Sequence, residues 1–315
     1  MGLGEKGVQD VCTRSNLTLF VLVNQNFGTS EGRGRRRGRW EPTRNPYPPH
    51  QVFPIQNPQS KGPEPVNGYV SVISAGHIAM SEIYFFRHGQ ASFGEENYDR
   101  LSPIGVRQAQ VLARYLADAG KVFDAVYYGE MERQQKTARE FINYYRQKKL
   151  PVPRPEISDA FNEYDSFAVW QALIPELIEE KPSLTKELDK LPGDQKAFQM
   201  VFSQVMVRWA KGEYRASGIP RWDDFVRRVN SGIEKLAIHH GAQKRLAVFT
   251  SGGPISVTVK AALGLSDKMT LEISWQLMNA SITRIKYNSK GIMLAGFNEV
   301  SHLELEGDER LLTYR

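Results

Sequence analysis

Apolar positions along this chain change their spacing several times, and each change marks an element. Ile83-Tyr84-Phe85-Phe86 is an unbroken apolar run, the pattern of a strand buried on both faces. It stops at Arg87, His88 and Gly89. After a polar loop, Ser102 can cap a helix that has Pro103 at its first position. Apolar residues then recur at helical spacing from Ile104 to Ala119, and Gly120 ends the helix. Val122 to Tyr128 reads as a second strand and Glu132 to Lys148 as a second helix. Strand, helix, strand, helix implies crossover connections and a largely parallel sheet.

Residues 166–240 follow a different rhythm. Helical segments around Phe167–Glu180, Gln195–Lys211 and Trp222–His239 are broken by Pro182, Pro192 and Gly218-Ile219-Pro220. Trp170, Trp209 and Trp222 are expected to pack inside this helical insertion, which is long enough to serve as a lid or specificity element. The sheet then resumes. Arg245–Thr250 is strand-like, Ser251-Gly252-Gly253-Pro254 leads into a helix running to about Leu263, and Ser281–Tyr287 with Gly291–Phe297 form an expected hairpin. The expected fold is α/β: a three-layer α/β/α sandwich with a mostly parallel central sheet and a helical insertion at about 166–240.

Composition changes this picture only at the amino-terminal end. Residues 1–79 hold nine Lys/Arg against five Asp/Glu, so they carry four of the six net positive charges. The run from Gly32 to Arg39 is basic and flexible, and the stretch from Pro42 to Pro65 offers few core residues. Such a segment cannot offset its ordering entropy, so residues 1–79 are expected to be a disordered basic and Pro-rich tail. A solvated tail is preferred over a nucleic-acid or targeting arm. The domain is expected to occupy 80–315, with Met80 three residues ahead of the first strand.

The single cysteine, Cys12, excludes an internal disulfide framework and any zinc site built on several cysteines. No apolar run approaches the ~18 residues needed to cross a bilayer. The expected location is therefore cytoplasmic, with no membrane partner. Oligomeric state is left open.

Chemistry enters at the ends of the strands. In open α/β sheets ligands bind outside the carboxyl ends of strands, which is where Arg87 and His88 fall. A cation beside a potential nucleophile, with Gly89 allowing close backbone approach, suits an anionic substrate such as a phosphate ester. Further along come Asp99-x-Leu101-Ser102-x-x-Gly105-x-x-Gln108-Ala109, Arg133-x-x-x-Thr137-Ala138, Asn162-Glu163-Tyr164, Ser251-Gly252-Gly253-Pro254-Ile255, Asn279-Ala280-Ser281-Ile282 and Asn298-x-x-x-His302-Leu303. In this order and spacing they closely resemble the histidine phosphatase superfamily, in its phosphoglycerate-mutase-like branch, over roughly residues 82–303.

The resemblance implies roles for particular side chains. His88 would attack phosphorus through its neutral imidazole, a form available around pH 7 because an unperturbed histidine has a pKa near ~6.5. Arg87 and Arg133 would clamp the phosphoryl oxygens with their planar donor forks. Glu163 would protonate the leaving oxygen and then activate water, with Asp165 and Glu156 as nearby competitors for that role. Ser251 stands where many family members carry a second histidine. Its neutral hydroxyl bond is worth about 0.5–1.5 kcal/mol against about 1.5–3 for a charge-assisted donor. Gly252 and Gly253 would supply backbone donors at a helix start.

The implied activity is metal-independent phosphomonoester hydrolysis through a phosphohistidine on His88. It needs no cofactor and no metal, and its substrate would be a small phosphorylated molecule or a phosphoprotein. The alternatives are a phosphoglycerate mutase-type phosphoryl transferase, or a weakened phospholigand-binding member because of Ser251. An RNA-binding protein acting through the Arg-rich tail ranks last, since that segment lacks the aromatic platforms of RNA-binding folds.

Overall fold

The computed structural model describes residues 80–92, 95, 97–188 and 194–314. The basic segment 1–79, with its expected disorder, and Pro192 lie outside them. Strand β1 (Ser81–Arg87) leads into α1 (Pro103–Asp118), β2 (Ala125–Tyr128), α2 (Glu132–Gln147) and the short β3 (Glu156–Ile157). A 3₁₀ turn at Asp159–Phe161 opens the helical insertion: α3 (Ser166–Glu180), α4 (Leu184–Leu188), α5 (Gln195–Lys211) and α6 (Trp222–His240). The chain then returns through β4 (Arg245–Thr250), α7 (Gly252–Leu263), α8 (Asp267–Ser274), β5 (Ile282–Asn288) and β6 (Gly291–Glu299), and closes with α9 (Ser301–Glu304) and a 3₁₀ turn at Glu309–Leu311.

The six strands form one sheet in the order β3-β2-β4-β1-β5-β6. The pairs β3/β2, β2/β4 and β4/β1 are parallel, and the β5–β6 hairpin adds antiparallel to β1. Alternate residues of each inner strand enter opposite cores. Ile83, Phe85, Leu246 and Val248 face the side covered by the insertion helices and α7. Tyr84, Phe86, Ala247 and Phe249 face the side covered by α1 and α2. That two-sided burial is why β1 and β4 read as continuous apolar runs rather than alternating ones. Each fully buried phenylalanine contributes about 1.5–3 kcal/mol. Phe86, Phe249 and Phe141 meet with ring centroids 4.9 and 5.3 Å apart, tying sheet to helix.

Several boundaries differ from the sequence reading. β2 starts at Ala125 rather than Val122, because only 125–128 pair with β4 and Val122 is exposed. Helix α8 is absent from the sequence reading, since only Thr270, Leu271 and Ser274 are buried and they make no helical apolar stripe. The three tryptophans Trp170, Trp209 and Trp222 are buried in the insertion as expected.

The sheet opens a crevice where connections leave neighbouring strands in opposite directions. From β1 the chain turns to α1 on one face, whereas from its neighbour β4 it turns to α7 on the other. Such a switch point, at the carboxyl ends of parallel strands, is where ligands enter open α/β sheets. Arg87 and Thr250 sit side by side at that edge.

Candidate active site

His88 follows the last residue of β1 and is buried. Its backbone is fixed on both sides: its N–H donates to Thr250 O at 2.8 Å, and its carbonyl accepts from Ala280 N at 3.1 Å and Asn279 Nδ2 at 3.3 Å. Its Nδ1 lies 2.7 Å from Gly89 O, so Nδ1 must carry the proton. Its Nε2 accepts from Arg133 Nε at 3.1 Å and therefore presents a lone pair. Together the two bonds assign the tautomer. Burial, first, and then the charges of Arg133 and Arg87 push the imidazole pKa well below the ordinary histidine value, outweighing the opposing bond to Gly89.

Arg133 projects from the first turn of α2, where a cation opposes the helix dipole. It is held from three directions. Nε meets His88, Nη1 pairs with Asp99 Oδ1, and the guanidinium lies 5.7 Å from the centre of the Tyr98 ring. The other oxygen of Asp99 accepts from Glu132 N at 2.7 Å. This caps a helix whose own N-cap residue, Met131, makes no side-chain cap bond. Thr137, one turn further on, accepts from Gly89 N at 3.1 Å and donates to Arg133 O at 2.8 Å. The loop after β1 is thereby fastened to the helix that carries the second guanidinium. Gly89 also rests against Gly105 of α1 so closely that a Cβ on either would collide with the other segment's backbone.

Arg87 is buried, and its Nη1 donates to Leu277 O. It also lies 3.9 Å from where a Cβ of Gly252 would be. The neighbouring glycine meets Glu163, whose Oε2 accepts from Gly253 N at 2.9 Å and whose Oε1 accepts from its neighbour Tyr164 N at 3.1 Å. The Gly252–Gly253 start of α7 therefore separates a guanidinium on one side from a carboxylate on the other. Pro254 contributes no N–H, so α7 offers only the amides of Gly252 and Gly253 at its entrance, and Gly253 already serves Glu163.

Ser251 is fully buried, and its hydroxyl accepts from Gln134 Nε2 at 2.8 Å. Gln134 also donates to Phe161 O at 3.2 Å. It bridges the α2 and β4 ends of the site. His88, Arg133, Arg87, Gly252, Gly253 and Glu163 are thus linked in one chain of direct neighbours at the carboxyl edge of the sheet. Asp165 caps α3 through Phe167 N and Ala168 N, and Glu156 is exposed on β3. Neither makes a bond to these groups.

Several residues of the same region carried no role in the sequence reading. Asp99, Gln108, Thr137 and Asn279 belonged to the ordered motifs, but the letters alone did not say what they touch. Gln108 accepts from Gln90 N at 2.8 Å and donates to Leu311 O and Thr313 Oγ1, each at 2.8 Å. Asn279 in turn accepts from Thr313 Oγ1 at 2.9 Å, and its N–H donates to Thr313 O at 2.8 Å. Residues 311–313 therefore back the loop that bears the imidazole. Gln134 and Arg228 had no sequence signal beyond their helical register.

An α/β sandwich that gathers an imidazole and two guanidinium groups at the carboxyl ends of parallel strands has the charge and donors that an anion requires. Residues 83–300, more than half of the chain, match the family model described as the histidine phosphatase superfamily, branch 1. The chain belongs to the histidine phosphatase superfamily.

Among solved structures it is similar to a phosphoglycerate mutase from Bacillus anthracis str. Sterne, at 18% identity over 73% of this chain and 98% of that one, with a TM-score of 0.48. It is also similar to a phosphoserine phosphatase from Entamoeba histolytica in complex with 3-phosphoglyceric acid, at 17% identity over 71% of this chain and 99% of that one, with a TM-score of 0.48. A third is the α-ribazole phosphatase from Shigella flexneri, at 22% identity over 69% and 96% of the two chains, with a TM-score of 0.44. No curated protein matches the sequence. Among the described residues, no helix is long and apolar enough to cross a membrane.

Proposed function

We propose that this protein hydrolyses phosphomonoesters through a covalent phosphohistidine on His88. The observation that carries the reading is the state of the imidazole: buried, proton on Nδ1, lone pair on Nε2, with guanidinium groups beside it. Phosphoryl transfer depends mostly on positioning and on charge stabilisation of the equatorial oxygens. Arg87 and Arg133 serve that purpose. When a phosphoryl group enters, the Nε–H of Arg133 exchanges the Nε2 lone pair for a phosphoryl oxygen, which frees the nucleophile.

Nε2 then forms a bond to phosphorus as the bond from phosphorus to the leaving oxygen breaks. Glu163, in its acid form, gives its proton to that oxygen. In the second half, Glu163 takes a proton from water as the water oxygen bonds to phosphorus and the N–P bond breaks. Inorganic phosphate leaves, and both His88 and Glu163 return to their starting states. The free Gly252 amide at the start of α7 is a further donor to the phosphoryl group. We read Ser251, buried and bonded to Gln134, as fixing that helix start more than as a donor of its own.

The chemistry of this scheme needs no metal ion. Incubation with an aryl phosphate in EDTA is expected to release phosphate. Base-quenched labelling with a radioactive phosphoryl donor is expected to mark wild type but not His88→Ala. Phosphate release unchanged in His88→Ala would rule out the mechanism. Affinity without covalent label would mean a binding protein, and isomerisation of phosphoglycerate outpacing its hydrolysis would mean a mutase.

A further inference from the structure

The carboxylate at Glu163 lies on an irregular segment between a 3₁₀ turn and α3, with no regular element of its own to aim it. Helix α6, from the insertion, lies against that segment residue by residue. Gly232 approaches so closely that its Cβ would fall 2.5 Å from Ala160 Cβ and 3.2 Å from the Phe161 ring. One turn towards the amino end, Arg228 Nη2 donates to Asn162 O at 2.6 Å. A further turn on, the Phe225 ring packs edge-on against Tyr164, with centroids 5.3 Å apart, and touches the Cβ position of Gly253 at 3.0 Å. Positions 232, 228 and 225 form one stripe at helical spacing and meet 160–161, 162 and 164 in turn. Glu163 falls between the last two.

Arg228 is an expensive residue to keep at this spot. It is only partly exposed, desolvation lowers its pKa, and its buried Nε has no hydrogen-bond partner among the described residues. Among the described residues it donates to a neutral carbonyl and its guanidinium lies 5.3 Å from the centre of the Phe225 ring, while the charges of Asp159, Glu163 and Glu130 lie near enough to favour its cationic form. A half-buried charge whose hydrogen bond goes to a carbonyl rather than a carboxylate is weak evidence of a large contribution to stability.

We propose that Arg228 is a positioning residue for Glu163. It holds the peptide immediately before the acid, and so sets the distance between the carboxyl and the leaving oxygen. The inference rests on the reading of Glu163 as the general acid, and it makes the helical insertion part of the proton-transfer apparatus.

General acid catalysis matters most when the leaving oxygen is a poor leaving group, and a misplacement of about 1 Å can cost ~100-fold. The test compares glycerol phosphate, an alkyl ester, with para-nitrophenyl phosphate, whose leaving group needs little protonation. Arg228→Met is expected to lower kcat/KM on glycerol phosphate by about 10–100-fold. On the aryl ester it should lower it by no more than about 3-fold, and its melting temperature should stay at or above that of wild type. Arg228→Lys, which restores charge and one donor, is expected to recover part of the alkyl activity. Glu163→Gln serves as the reference for the same selectivity.

If Glu163→Gln itself affects both esters equally, the acid assignment fails. If it is selective while Arg228→Met lowers both esters equally, or neither, the positioning role fails. An Arg228→Met protein that melts well below wild type and loses both activities together would also overturn the proposal, in favour of a purely structural arginine.

Discussion

Asp99 joins two things that a sequence keeps separate, a helix cap and the guanidinium set against His88, so its removal should be felt in both. One oxygen accepts from Glu132 N at 2.7 Å, and the other pairs with Arg133. Loss of an N-cap acceptor costs about 1 kcal/mol. A charge-assisted bond is worth about 1.5–3 kcal/mol when shielded, and exposed ion pairs about 0–1. The Arg133 side chain is only 8% exposed but that of Asp99 is 34% exposed, so the pair belongs between those limits, at about 1–2 kcal/mol.

Asp99→Ala should therefore destabilise the domain by about 2–3 kcal/mol. Asp99→Asn keeps an oxygen for the Glu132 amide and should lose only about 1 kcal/mol. For a domain of this size each kcal/mol shifts the melting temperature by about 2–4 °C. Thermal melts monitored by circular dichroism should then place alanine about 4–12 °C below wild type, with asparagine clearly between the two. Both variants should also lose about 10-fold or more in kcat/KM towards a phosphate ester, because Arg133 is no longer anchored opposite His88. An alanine variant that melts with wild type, or an asparagine variant that falls as far as alanine, would refute this division of roles.

Two further outcomes follow from the same geometry. The His88 ring is held neutral by burial and by Arg133 and Arg87. NMR of histidine-labelled protein should show it still neutral at pH 6, where a free imidazole is mostly protonated, and a midpoint at or above ~6.5 would contradict the assignment. The sign for stability is fixed as well. Below ~6.5 the unfolded chain binds a proton that the folded one refuses, so this histidine weakens the fold as pH falls, down to its lowered native pKa. Gly253→Ala should separate stability from activity. An alanine favours the helix by about 0.5–1 kcal/mol, which offsets part of the crowding against the Phe225 ring, yet its Cβ would collide with Glu163 Oε1, so turnover should fall far more than the melting temperature. Full activity in that variant would mean Glu163 is not where the chemistry needs it.

Much of the architecture was legible because β1 and β4 are buried on both faces and α1 and α2 carry clear apolar stripes. Arg87 and His88 stood out because they close a strand buried on both faces, whereas Arg133 and Glu163 were singled out by the resemblance of their motifs; the structure sets Arg133 against His88 and Glu163 against Gly253. What stayed hidden is pairwise. Nothing in the letters says that Asp99 caps α2 in place of Met131, whose side chain has no oxygen to offer. Nor do they say that Gln134 spans from α2 to Ser251, or that a glycine in α6 lets Arg228 reach Asn162. These contacts join residues tens of positions apart, and periodicity carries no information at that range. Helix α8 escaped for a simpler reason: its apolar side chains, Met269, Leu271 and Ile273, fall at every second position and make no helical stripe.

Thr313 has a bearing on how the imidazole comes to be held at all. Gln108 grips it across 205 positions of sequence, and Asn279 couples it to the His88 carbonyl. On a growing polypeptide the imidazole emerges long before Thr313, so the loop can be shaped beforehand but not locked. Long-separation contacts of this kind form late in folding. The β1–β5 pairing spans a comparable separation, so the backing of the imidazole should form together with the central sheet, and any activity should appear during refolding no earlier than that sheet.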